Sequence, residues 1–239
     1  MHAEWTKLRT VAGPAWLLVA AVALTVALGA LVSATCSATG CVDPTKLSLT
    51  GVQLGQAVIA VVAVLVVGDE YRTGMIRTTL AAVPRRPVAL AAKALVVLGP
   101  VLVAASVAVG GSLLAGHLLM PSSYAGAATL RAAAGSVLYL GLIALLSLGV
   151  AGAVRDSAAA IGVVLGLLYL FPILATALSN PDWQRHVKQI GPSSAGLASQ
   201  VTVGVADLPI GPWAGLGVLT LSASAALLTG TLLLQARDA

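Results

Sequence analysis

Gln53 and Gln56 stand three residues apart in an otherwise apolar run. That spacing puts both on one face of a helix. A polar pair in an apolar helix costs free energy unless it meets partners or water. The pair therefore faces a partner chain or a cavity, or else sits at the polar edge of the segment. Tyr169 and Phe171, beside Pro172, supply aromatic bulk that suits either a constriction or a packed core. Cys36 and Cys41 enclose a very short loop, CSATGC, in which Gly40 eases the turn. In a topology of six spans with cytoplasmic termini they fall in the first outside loop, where an oxidising exterior permits a disulfide, with two free thiols as the alternative. His117 is the one ionisable residue inside an apolar run, near its end, where an interfacial place suits it better than a proton relay. The chain has no GxxxxGK[ST] phosphate loop and no HExxH, and GPSSAG lacks the GxSxG spacing. From these residues no catalytic set and no metal site can be written.

The elements that position these residues follow from composition. The chain of 239 residues is 59% hydrophobic and 9% charged, with a mean hydropathy of +1.00. A soluble domain carries about 25% charged residues, so this chain lacks the means to cover itself for water. Six runs of roughly 20 residues are free of Asp, Glu, Lys and Arg: 14–32, 47–67, 94–120, 132–154, 157–178 and 212–236. Lipid cannot satisfy backbone polar groups, so each run is expected to be a helix. The expected fold class is an all-α membrane protein, one transmembrane domain of six helices over 1–239. Gly99-Pro100 and Phe171-Pro172 are expected to kink the third and fifth spans. Gly162 and Gly166 form a GxxxG pattern assigned to helix packing.

Six spans put both termini on one side. With that side cytoplasmic, Lys7, Arg9, Arg72, Arg77, Arg85, Arg86, Lys93, Arg155 and Arg237 lie inside, and Lys46, Arg131, Arg185 and Lys188 lie outside. The bias has the sign of the positive-inside rule, which accounts for the net charge of +5 without nucleic acid. At the N-terminus, Trp5, Leu8 and Ala12 share a helical face, with Glu4, Lys7 and Thr10 away from it. Residues 1–12 are read as a helix in the cytoplasmic interface, or as a tail anchored by Trp5. Residues 68–93 combine Asp69, Glu70, Arg72 and Arg77 with an apolar stripe of Met75, Ile76, Thr79 and Leu80 before Pro84 and Pro87. Orientation alone needs only the positive charges; the mixture points to a docking surface for a cytoplasmic partner.

The last outer segment, 179–211, is much longer than its neighbours. Trp183, Val187 and Ile190 recur at helical spacing, Asp182, Arg185 and Lys188 face elsewhere, and Asn180-Pro181 opens the helix. GPSSAGLASQ then follows, apolar enough for the membrane surface. The segment is read as an interfacial or partly re-entrant helix pair.

In this order the motifs resemble those of actinobacterial ABC-2 type permeases, the membrane half of type-2 ATP-binding-cassette exporters. The resemblance rests on the EWTKLRT segment at 4–10, the EYRTGMIRTTL loop at 70–80 with Arg85, Arg86 and Lys93 after it, PSSAG at 192–196, and the Arg-Asp-Ala tail at 237–239. It implies a permease dimer, of two like copies or of related chains, working with ATP-binding-cassette ATPase subunits that hold ATP and Mg, so that this chain needs no cofactor and is not itself an enzyme. It implies a coupling helix in the inner loop, at Glu70, Tyr71, Arg72, Gly74, Met75, Ile76 and Arg77. It also implies a path at a dimer interface of the first, second and fifth spans, near Gln53, Gln56, Tyr169 and Phe171. The location implied is the bacterial plasma membrane with both termini cytoplasmic, and the cargo a drug, antibiotic, lipid or peptide. The absence of a large extracellular domain disfavours the macrolide-exporter type. The rival readings are a membrane-embedded enzyme and a non-transporting signalling subunit.

Overall fold

The structure, a computed structural model, describes residues 12–39, 41–72, 86–120, 126–177 and 179–236. Among them all regular structure is helical, and six helices are long and apolar enough to cross a membrane. The first span is α1, Ala12–Thr39. A short helix α2, Pro44–Ser48, leads into α3, Val52–Arg72, and the two together make the second span. The third span is α4, Arg86–Leu119, and the fourth is α5, Gly126–Val154. The fifth consists of α6, Ser157–Leu165, a π-turn, Gly166–Leu170, and α7, Phe171–Ala177. Two short helices follow, α8, Pro181–Ile190, and α9, Pro192–Leu197, before the sixth span α10, Pro212–Ala236.

Contacts at the helix ends fix the direction of travel. At one end Thr45 meets Thr129 at 3.4 Å, Arg131 reaches the Val201 carbonyl and Asp43 reaches Thr202. At the other, Gly68 abuts Ser157, Gly152 lies near Gly230 and Leu90, and Arg155 reaches the Leu233 carbonyl. Successive spans therefore run antiparallel, and the start of α1 and the end of α10 lie at the same end of the bundle.

The centre is α5, which packs against α3, α4, α6 and α10, while α1 leans on α3 and α4. The second and fourth spans are mostly buried and the other four expose most of their surface. That exposed surface is apolar, with Trp16, Val103, Leu118, Leu130, Leu221 and Leu232 all open, as a bilayer requires. Some span hydroxyls bond within their own helices, Thr25 donating to the Ala21 carbonyl at 2.7 Å and Ser147 to the Ile143 carbonyl at 2.7 Å, while Ser112 of α4 donates across to the Thr25 carbonyl of α1 at 3.3 Å. Small residues let backbones touch. At the α5–α10 crossing a Cβ on Gly149 would lie 2.6 Å from the Ala226 carbonyl carbon, and one on Gly230 would lie 2.8 Å from the Gly149 carbonyl oxygen.

The fourth and fifth spans are joined by a turn of two residues. Arg155 adopts φ 63°, a left-handed conformation uncommon for a residue with a Cβ. Asp156 then caps α6 by accepting from the Ala159 N–H at 2.7 Å.

Candidate functional site

The two glutamines of the second span part company. Gln56 is buried, and its side-chain oxygen accepts from the phenol of Tyr139, a fully buried residue of α5. The Gln53 side chain is exposed, while its backbone carbonyl accepts from the phenol of Tyr169 in the π-turn. A polar junction thus joins the second, fourth and fifth spans. Tyr139 was not singled out from sequence; the available signal was a tyrosine in an apolar span, whose hydroxyl needs a partner when buried.

Beside this junction one face lacks neighbours among the described residues. Gly162 and Gly166, expected to pack against another helix, have nothing within 4 Å of where a Cβ would stand. Val163, Leu170 and Ile173 on the same span are exposed, as is Leu54 on the second. Phe171 is half-buried and lies against Gly191.

The segment 179–211 has two unlike halves. α8 begins as its sequence directs: the Asn180 side chain accepts from the Asp182 N–H at 2.9 Å, with Pro181 at the first helical position. Its apolar residues Trp183 and Ile190 are exposed. α9, by contrast, is sunk in the bundle, with Pro192, Ser193, Ala195 and Gly196 buried. It packs on α10 and α5, where Gly196 covers the Tyr139 ring and the Ala195 carbonyl abuts Gly215.

Asp43 fastens the same end of the molecule. One carboxylate oxygen accepts from the Lys46 N–H at 3.0 Å and the Thr202 hydroxyl at 2.6 Å. The other accepts from the N–H groups of Thr202 at 2.7 Å and Val203 at 3.0 Å. Burial pushes the carboxyl pKa upward, but the hydrogen bonds outweigh it, and the net shift is below the ordinary aspartate value. Arg131, which begins outside the apolar run of the fourth span, lies within α5 and donates to the Val201 carbonyl at 2.5 Å. Cys36 and Cys41 are joined as a disulfide just before Asp43, with their Cα atoms 5.7 Å apart, inside the usual range.

At the opposite end α3 continues through Glu70, Tyr71 and Arg72 as backbone. The side chains of those three, together with Gly74, Met75, Ile76 and Arg77, lie outside the described residues, as does nearly all of the 1–12 segment. Lys93, expected in the loop, is buried on α4, which begins at Arg86.

Six apolar helices packed around a buried polar junction define a multi-pass membrane protein. The family described as ABC-2 family transporter protein matches residues 1–173, and the chain belongs to it. The match covers the first four spans, residues 73–85 between α3 and α4, and the fifth span through Ile173. No curated protein matches the chain.

Proposed function

We propose that this chain is the permease subunit of an ATP-driven exporter of an amphipathic drug, antibiotic, lipid or peptide. A separate ATP-binding-cassette ATPase, holding ATP and Mg, supplies the energy. Two copies, or one copy and a related permease, complete the membrane part in the bacterial plasma membrane. The observation that carries this reading is membership of the ABC-2 family over residues 1–173. Both chain ends and residues 68–93 are then cytoplasmic, and the Glu70–Arg77 stretch docks on the ATPase. The 179–211 segment lies outside, where α9 enters the bundle as the re-entrant piece.

The open face of the second and fifth spans supports a path at the permease–permease interface. Gln53 points out of the bundle there, Tyr169 stands beside it, and Gly162 and Gly166 leave room for a close helix. Gln56 then supports the path from behind instead of lining it, since Tyr139 occupies its oxygen.

The test places single cysteines at Gln53, Tyr169 and Gly162 in a chain carrying Cys36→Ser and Cys41→Ser. Cross-links between two copies, altered when an ATP analogue binds the co-purified ATPase, are the expected outcome. Labelling of all three by lipid-soluble reagents with no cross-link would move the path elsewhere. Failure of any ATPase to co-purify would count against the permease reading itself.

A further inference from the structure

A proline inside a helix leaves the carbonyl four residues back without its N–H donor, and its ring crowds that carbonyl. In an α-helical register of the fifth span that carbonyl belongs to Leu168, four residues before Pro172. Two features answer it. The backbone widens into the π-turn, in which the Phe171 N–H bonds the Gly166 carbonyl. The Ser193 hydroxyl, arriving from α9, donates to the Leu168 carbonyl at 2.9 Å.

The outer helices grip the outer half of this span at two further points. A Cβ on Gly191 would stand 3.0 Å from the Phe171 ring. The Gln184 side chain donates to the Thr176 carbonyl at 3.3 Å. Ser194 ties α9 back to α8 by donating to the Lys188 carbonyl at 2.8 Å. The inner half of the span, α6, packs instead on α3 and α5. The π-turn is the joint between the two halves, and Tyr169 sits in it.

We propose that Ser193 is a positioning residue for the fifth span. Its hydroxyl replaces the N–H that Pro172 lacks, which locks the π-turn to α9 and holds the Tyr169 phenol against the Gln53 carbonyl. Any consequence for a translocation path rests on the permease reading; the lock itself rests on geometry alone.

The test is a cycle of Ser193→Ala, Pro172→Ala and the double variant, made in the full chain in lipid nanodiscs. The readouts are the thermal unfolding midpoint and amide hydrogen exchange across residues 166–173. Ser193→Ala alone removes the hydroxyl donor from the Leu168 carbonyl, so the midpoint should fall by on the order of 5 °C and exchange should quicken. In the Pro172→Ala background the restored N–H at position 172 can serve that carbonyl, and adding Ser193→Ala should cost less than half as much. A hydroxyl needed only for packing would cost the same in both backgrounds. That result, or no loss from Ser193→Ala alone, overturns the proposal. Should Ser193→Ala fail to fold, folding of the double variant is the same rescue, and its failure to fold overturns the proposal too. No transport assay enters the cycle, so a negative result leaves the permease reading standing.

Discussion

The phenol of Tyr139 donates to the side-chain oxygen of Gln56, bridging the fourth and second spans where both side chains are sealed inside the bundle. Tyr139→Phe leaves Gln56 short of a donor. The expected loss is about 1 kcal/mol, the scale of interhelical hydrogen bonds in membrane proteins. Adding Gln56→Leu removes the stranded acceptor, and the double variant should lie nearer the parent than the sum of the single losses. Unfolding of the four proteins in one detergent checks this; strict additivity would mean that the bond contributes nothing.

Asp43 gives the bundle a dependence on acid. Its folded pKa lies below the ordinary aspartate value of 3.8. The stability it contributes is therefore fully present above that value and is lost as pH falls through the lower, folded pKa. Asp43→Asn should destabilise the protein by about 2 kcal/mol at neutral pH, the scale of hydrogen bonds to a charged group. It should also flatten the decline in unfolding midpoint below about pH 4. An equally steep decline in the variant would assign the acid sensitivity to other carboxylates.

Two glycines should answer the same substitution in opposite ways. Gly149→Ala drives a methyl group into the backbone of α10 at Ala226 and Leu227, an overpacking cost of about 1–3 kcal/mol. Gly162→Ala meets nothing within 4 Å among the described residues and should shift stability by no more than about 0.5 kcal/mol. If the open face is an interface, Gly162→Leu should weaken self-association in lipid, read by energy transfer between labelled copies, while the monomer stays folded. Unchanged association would exclude this face.

On the permease reading, Met75→Asp with Ile76→Asp places unpaired charge in the contact with the ATPase, which costs several kcal/mol if that contact is packed. Co-purification of the ATPase, or its coupled ATP hydrolysis, should fall while membrane insertion persists. Unchanged coupling would remove this stretch from the mechanism.

The six spans were legible because lipid imposes a local rule: a helix of about 20 residues with every backbone group satisfied internally. The start of α8 was legible for the same reason, since Asn180 and Pro181 act within one turn. The junction was only half legible. Spacing put Gln53 and Gln56 on one face, but their environments are set by residues elsewhere in the chain, Tyr139 and Tyr169. Pro172 announced a break in the fifth span, yet nothing near it names Ser193 as the donor that answers it. Arg131 marks another limit: a charge-free window stops short of an arginine that α5 includes, because the Val201 carbonyl receives it.

The clamp at residues 201–203 bears on how the protein meets proteases outside the membrane. A protease binds its target as an extended strand and pairs with the target's backbone groups, as peptide-binding sheets do. Here the N–H groups of Thr202 and Val203 are taken by Asp43, and the Val201 carbonyl by Arg131. Although Val203 is half exposed, the stretch has little backbone left to offer a cleft. Asp43→Ala should turn it into a cleavage site for a broad-specificity protease, so that nicking between the fifth and sixth spans reports on whether the clamp is closed.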